Sequence, residues 1–172
     1  AVANRTAVLD ENGKVTEKFD ASLTTAGCEK AAGFVKFCDA FGIPVVSFTN
    51  VNGYKATVCE EKSIAVAAAK LTAAFANATV AKVNVVSGMA YGSTYIVMNS
   101  KHIGADMVFA VEGAKIGMMD AALAAQIIAP EKTADDRKAV ADAYATLQGS
   151  AEAAAKRGYV DAIVSADSLR QQ

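Results

Sequence analysis

An α/β domain with a mainly parallel sheet is the fold class this sequence predicts, on three observations. Strand and helix patterns alternate along the chain, a rhythm that implies right-handed crossovers between parallel strands. Val45-Val46-Ser47-Phe48-Thr49 is a nearly uniform apolar run with β-branched bias, as in strands covered on both faces of a parallel sheet. Lys82 to Ser100 passes from an apolar strand through a glycine-hinged turn into a helix, and the rest of the chain is organised around it. The 172 residues can bury one sizeable core but not two comfortable ones, so residues 1–172 are read as one domain.

Ala1 to Leu9 alternates and is β-prone, and Asp10-Glu11-Asn12-Gly13 supplies a tight turn into a strand near Val15. Thr24-Thr25 offers the cap of a helix through Phe41, with Ala31, Phe34, Val35, Cys38 and Phe41 on one face. Gly42 ends that helix and Pro44 forbids its continuation. After the apolar run, Asn50-Val51-Asn52-Gly53-Tyr54 breaks the pattern at the carboxyl end of a central strand, the edge where open α/β sheets place ligands. A solvated turn is the alternative there. Glu60 to Asn77 is an alanine-rich helix with a core stripe of Ile64, Ala68, Leu71 and Phe75, and Glu60 and Glu61 sit where the helix dipole favours negative charge.

Beyond the central stretch, Lys101 to Asp106 closes a helix and turns into a strand over Met107 to Val111. His102 lies where a cation suits a helix C-terminus, with a general base as the alternative. A short strand, Lys115-Ile116-Gly117, leads through Met118-Met119-Asp120 to a small helix ending at Ile128, its methionines read as core filling. Thr133 opens a polar helix with Val140, Tyr144 and Leu147 facing inward. Ala151 to Lys156 is helical, a last strand ends at Val164, and Ser165 to Arg170 is read as a terminal helix.

Composition narrows the function classes. With 53% hydrophobic residues and a net charge of −1, nothing points to a disordered, nucleic-acid-binding or membrane-surface protein. No apolar run approaches the roughly 20 residues that span a bilayer and no signal-peptide pattern opens the chain, which reads as cytoplasmic. Cys28, Cys38 and Cys59 lack metal-ligand spacing and His102 is the single histidine, so no metal site is expected. The chain opens on Ala1-Val2-Ala3-Asn4 without a methionine and already in strand, so further sequence upstream is expected.

The central stretch carries the chemistry. A helix that starts on a sharp turn leaves its first N–H groups without intrahelical partners, so Gly92, Ser93 and Thr94 can aim donors at an oxygen bearing negative charge, an oxyanion hole in outline. Gly88 and Gly92 are read as positions able to take positive φ, and Gly92 admits a ligand without meeting a Cβ. An ordinary strand-to-helix connection is the plain alternative. A phosphate-binding Walker loop fails on spacing and lacks its lysine, and Ser93 in Tyr-Gly-Ser-Thr-Tyr is not the serine of a Gly-x-Ser-x-Gly elbow.

Several blocks in order, among them Val2-Ala3-Asn4-Arg5, Phe37 to Pro44, Ala90-Tyr91-Gly92-Ser93-Thr94-Tyr95, Ser100 to Asp106 and Ala155 to Asp161, carry a resemblance over most of the chain. It resembles the β-type carboxyltransferase of biotin-dependent acyl-CoA carboxylases and decarboxylases, in its C-terminal crotonase-like domain. The resemblance implies a spiral of β-β-α units, and an N-terminal domain that lies outside this chain and completes the active site between subunits. It implies that the N–H groups of Ser93 and Thr94 hold the ureido oxygen of biotin, and that Gly92, Tyr91, Tyr95, Ile96, Asn52 and Gly53 contact the cofactor. Its implied partners are a biotin carboxyl carrier protein, the N-terminal carboxyltransferase domain and further copies in a homo-oligomer, with an acyl-CoA of the propionyl or methylmalonyl type as substrate. The isolated domain is expected to be inactive. Departures are specific: Gly92-Ser93-Thr94 stands where the family usually has Gly-Gly-Ala, Met89 where a basic residue is common, Val51-Asn52-Gly53-Tyr54 for Val-Pro-Gly-Phe, and Ile96 for an acidic residue, implying an apolar acyl wall. Two other classes stand beside this one. A non-catalytic assembly or scaffold domain would bind neither biotin nor CoA, and a crotonase-type hydratase or acyl-CoA decarboxylase would need a carboxylate base near the turn, where the nearest, Asp120, reads as a helix cap.

Overall fold

Residues 1–171, described by a computed structural model, run in the order β1 (Val2–Ala3), β2 (Ala7–Leu9), β3 (Val15–Lys18), β4 (Ser22–Leu23), α1 (Thr25–Ala40), β5 (Val45–Val51), β6 (Gly53–Tyr54), α2 (Val58–Glu61), α3 (Ile64–Asn77), β7 (Lys82–Tyr91), α4 (Gly92–Val97), β8 (Met107–Val111), β9 (Lys115–Gly117), α5 (Ala121–Ile128), α6 (Ala134–Gln148), α7 (Ala151–Lys156) and β10 (Ala162–Val164). Short 3-10 turns cover Lys101–Ile103 and Leu169–Gln171, so the expected terminal helix shrinks to one turn. The Ser165 and Ser168 hydroxyls bond each other and the local backbone there, which favours a turn over a helix.

The central sheet has the order β1-β5-β7-β8-β10, every pairing parallel, as the alternating pattern predicts. The opening segment is not one strand. β1 joins the sheet while β2 and β3 form the expected antiparallel hairpin, because Asn4 turns its amide onto Asn50, accepting from Asn50 N and donating to Asn50 O. Nor is β5 covered on both faces: its burial alternates, and Val46 remains 37% exposed while Val45, Ser47, Thr49 and Val51 are buried.

Helix caps follow the predicted chemistry. Thr24, Thr133 and Ser150 each accept a first-turn N–H, and Asp120 Oδ1 accepts from Ala122 N at 2.9 Å. Glu60 does more than complement a dipole: one oxygen accepts from both the N–H and the hydroxyl of Thr25, tying α2 to the start of α1. Two inward faces are corrected. In α1 the buried residues are Cys28, Ala32, Val35 and Cys38, the ridge that meets α3, whereas Phe34 and Phe41 lie outside and Phe41 stacks on Phe37 with ring centroids 4.6 Å apart. In α6, Val140 and Tyr144 are half-buried as expected, but Leu147, in the last turn, is exposed at the edge of a cavity that Tyr144 also lines.

One core cluster joins α1 and α3 to the sheet around Val35, Leu71 and Phe75; a second joins α7 to β7, β8 and β9 around Val86, Val108 and Ile116. Among the described residues no helix is long and apolar enough to cross a membrane.

The feature that positions the site is an irregularity in β7. Its register to β5 runs evenly to Thr49↔Val86, then resumes at Val51↔Ala90. Across this detour β7 exchanges its other neighbour, leaving β8 after Val86 and joining β9 from Met89 to Tyr91. Asn50 Oδ1 fills the gap by accepting from Met89 N at 3.0 Å. Here the role expected of Gly88 is corrected. It is not among the glycines with positive φ; it is glycine because a Cβ would stand 2.6 Å from Asn50 Oδ1. Gly88→Ala should expel that oxygen and orphan the Met89 N–H, lowering stability by about 1–3 kcal/mol in urea unfolding. An unchanged unfolding midpoint would contradict this.

A second clasp joins the loop before β8 to the end of the domain. Asp161 receives Lys101 Nζ at 2.9 Å on both oxygens and Val108 N at 2.7 Å on one. The Lys101 ammonium, helped by that amide, holds its carboxyl below the usual carboxylate range. A carboxyl depressed in the folded state stabilises above its unfolded pKa of about 3.9 and loses that contribution as pH falls through the folded value. Asp161→Asn should therefore be less stable than wild type at pH 7, with the difference shrinking below about pH 4. Urea midpoints from pH 7 to 3 measure it; a difference constant with pH would exclude an ionic role.

Candidate active site

β7 ends at Tyr91 in extended conformation, and Gly92, with φ +59, turns the chain into α4. A non-glycine residue is disfavoured there twice over, since left-handed backbone costs about 1–2 kcal/mol and a Cβ would lie 3.1 Å from Met118 O. The pairing Tyr91↔Gly117 between β7 and β9 is what sets the Met118 carbonyl beside this turn. Thr94 Oγ1 donates to Tyr91 O at 2.6 Å and fastens the turn from within. No side chain caps α4, and its first amides, at Gly92, Ser93 and Thr94, have no acceptor one turn back. Ser93 is exposed and Thr94 is buried, with its hydroxyl already used on Tyr91 O.

Two cavities meet at this turn. One, of about 450 Å³, lies over Gly92, Ser93 and Thr94, with Asn52, Gly53 and Tyr54 on one side and Met118, Asp120 and Leu123 on the other. The second, of about 360 Å³, touches Gly92 and Ser93 from the other side and is walled by Tyr95, Ile96, His102, Arg157 and Tyr159. Of the residues singled out in the sequence, Ser93, Thr94, Gly92, Tyr91, Asn52 and Gly53 thus gather on the first cavity, while Tyr95 and Ile96 face the second. Asn52 reaches the turn because β5 rejoins β7 at Val51↔Ala90.

The first cavity sets the side chains of Tyr54 and Tyr91 and the Asp120 carboxylate beside apolar Met89, Met118 and Leu123. Burial raises the Tyr54 phenol, opposed in part by the Ser93 side chain, and burial with the nearby Asp120 charge raises Tyr91. Burial pushes Tyr95 up to about 12, and its hydroxyl donates to Tyr159 O at 3.3 Å. Asp120 is committed to capping α5. The arrangement suits charge stabilisation by backbone donors.

Some roles differ from expectation or go beyond it. His102 sits in the last turn of the 3-10 helix Lys101–Ile103, as expected, and also walls the second cavity, packing its ring edge-on to Tyr95 at 5.9 Å and tilted on Tyr159 at 4.6 Å. Met118 is 74% exposed and borders both cavities, where core filling was expected. Leu123 and Tyr159 join the site unannounced, while Tyr54 enters it from the loop expected at the ligand edge. The first two depend on how β9, α5 and α7 fold back, which no local pattern encodes.

A sequence profile described as the carboxyl transferase domain matches residues 2–172. The chain belongs to that family. This carboxyl transferase domain is 41% identical over 154 residues to the propionyl-CoA carboxylase beta chain of Saccharopolyspora erythraea, covering 83% of this chain and 28% of that one. It is 38% identical over 146 residues to the methylmalonyl-CoA decarboxylase subunit alpha of Veillonella parvula, covering 81% and 28%. Among solved structures it matches the transcarboxylase 12S hexamer with methylmalonyl-coenzyme A and methylmalonic acid bound, at a TM-score of 0.82 and 36% identity over 87% of this chain and 30% of that one. The beta subunit of Pseudomonas aeruginosa geranyl-CoA carboxylase matches at a TM-score of 0.77 and 24% identity over 87% and 30%, a likeness of fold. The expected family and its crotonase-like α/β fold are borne out. The domain spans less than a third of the length of these relatives.

Proposed function

We propose that this domain belongs to the C-terminal half of a biotin-dependent acyl-CoA carboxyltransferase and that its β7–α4 turn binds the cofactor's ureido oxygen. The observation that carries the reading is that Gly92, Ser93 and Thr94, the first residues of a helix without a side-chain cap, line a cavity of about 450 Å³. The residues fit biotin. The amides match a carbonyl acceptor, Gly92 presents no Cβ, and Tyr91, Met118 and Leu123 offer apolar surface to a ring. Bound there, the cofactor would supply a transferable carboxyl group whose departure leaves negative charge on its ureido oxygen. Ser93 N–H and Thr94 N–H would stabilise that charge, each donor by about 3 kcal/mol. Asn52 and Gly53 would close one side against water, while Tyr95 and Ile96 would wall the adjoining cavity on the acyl-CoA side. The thioester would be held by an N-terminal domain, and the biotin delivered on a carrier protein. The hexamer of transcarboxylase 12S supports assembly into a homo-oligomer. Relatives named for propionyl-CoA and methylmalonyl-CoA, together with Ile96, favour a short, apolar acyl group. Three free thiols favour a reducing compartment such as the cytoplasm.

Titrating the protein with biotin while following backbone amide resonances tests this reading. Ser93 and Thr94 should shift first and saturate together. Saturation with shifts elsewhere only, or no shifts at all, would favour the assembly role instead.

A further inference from the structure

At the carboxyl end of α4 lie four polar side chains, Ser47 and Thr49 on β5, Asn84 on β7 and Asn99 just past the helix, all at 0% exposure. Asn84 Oδ1 accepts from Ser47 Oγ at 3.1 Å and from Thr49 Oγ1 at 2.8 Å. Asn99 Nδ2 donates to Ser47 Oγ at 3.0 Å and Val83 O at 3.3 Å. The other atoms of the two amides, Asn84 Nδ2 and Asn99 Oδ1, find no partner among the described residues. Buried polar atoms are satisfied in the great majority of folded proteins, and this pair sits on amides that share one hydroxyl.

Turning the amides does not remove the need. If Asn84 is reversed, its Nδ2 donates to Ser47 Oγ and Thr49 Oγ1, which can then donate to Val83 O and Met98 O, each at 3.3 Å. Its Oδ1 becomes the orphan. Asn99 alone cannot be reversed, because Ser47 Oγ, with its single proton, would then face the oxygens of both amides; reversing both only exchanges the orphan donor and acceptor. The two orphans are therefore either a donor and an acceptor or two acceptors. An anion suits neither case, and a cation suits only the second, with no charged group in the quartet to balance it. Water suits both, because it donates twice and accepts.

We propose that one ordered water molecule, bonded to Asn84 and Asn99 at these two orphaned atoms, completes the network. Asn99 is the one non-glycine residue with positive φ, 58°, among the described residues, and it marks where the chain leaves α4. The water-completed network pins that exit to β5 and β7, and so steadies α4 from its carboxyl end. The inference is independent of which ligand the amino end of α4 takes.

A crystal structure at a resolution that shows internal waters should contain a density peak about 3 Å from both side chains. Direct contact between the two amides, or no peak between them, overturns the proposal. In solution, the Asn84 side-chain amide protons should show cross-relaxation with a long-lived water, and its absence overturns the proposal too. Asn84→Leu should lose one long-lived water by oxygen-17 relaxation dispersion relative to wild type; an unchanged number counts against the site.

Discussion

Gly92→Ala, made in the full-length enzyme of the proposed function, is expected to lower kcat for carboxyl transfer by about 10²–10³-fold, the loss that removal of one oxyanion donor produces. Alanine at φ +59 pays about 1–2 kcal/mol in left-handed strain, and its Cβ would press on Met118 O at 3.1 Å. Relief requires either rotation of the turn or displacement of the Met118 carbonyl, which β9 fixes through Tyr91↔Gly117. Rotation is the easier response, and it re-aims the Ser93 and Thr94 amides. Because those donors act on charge that develops during transfer, kcat should fall while KM for the acyl-CoA changes little. Ser93→Ala is the control, since it keeps the backbone donor and should stay within a few-fold of wild type. If Gly92→Ala retains wild-type kcat, or Ser93→Ala falls as far, the turn is not the oxyanion hole. The first outcome would leave the amides idle, and the second would make the hydroxyl the working group.

What was legible in the sequence divides by the range of the cause. Caps at Thr24, Asp120 and Thr133 depend on groups two or three residues away, and the structure places them as read, while Ser150 caps α7 by the same chemistry without having been singled out. The parallel sheet and the strand-to-helix turn at Tyr91-Gly92 were equally visible, because alternation and a single glycine encode them. Gly88 was visible and misassigned. A glycine states that a Cβ is excluded, and only the side chain of Asn50, 38 positions earlier and brought alongside by the break in β7, supplies the reason. The outward turn of Phe34 and Phe41 is of the same kind, since an apolar helical stripe does not say which ridge its neighbour will use. Ser47 and Thr49 left a fainter mark: two polar residues at alternate positions of one strand share a face, which predicts a polar partner without naming Asn84 or Asn99. The division of the candidate site into two cavities had no local sign, because Met118 and Tyr159 reach it only after β9 and α7 have folded back.

Phe75→Ala is expected to destabilise the domain by about 3–5 kcal/mol, near the upper end for a core truncation. Phe75 is fully buried where α3 meets α1 and the sheet, and the residues sharing its cluster include Ala32, Ala67, Ala68, Ala74 and Ala78. Alanines have no rotamers with which to move into the space left behind, so collapse would have to shift whole helices, and α1 is restrained by the Glu60 bonds to Thr25. The cavity therefore stays largely open and its full penalty remains. Against a total stability of about 5–15 kcal/mol, such a loss leaves a marginal or unfolded domain. Val97 and Met98, at the end of α4, belong to the same cluster, so partial loosening would reach the helix that presents the site amides before the hairpin of β2 and β3. Urea unfolding measures the loss, and amide hydrogen exchange should show α4 losing protection ahead of β8. Phe41→Ala, at a ring 68% exposed on the same α1–α3 layer, should stay within about 0.5 kcal/mol of wild type. Equal losses for the two aromatics would mean that α1 presents the other face to α3, and the floor beneath α4 would have to be rebuilt from that face.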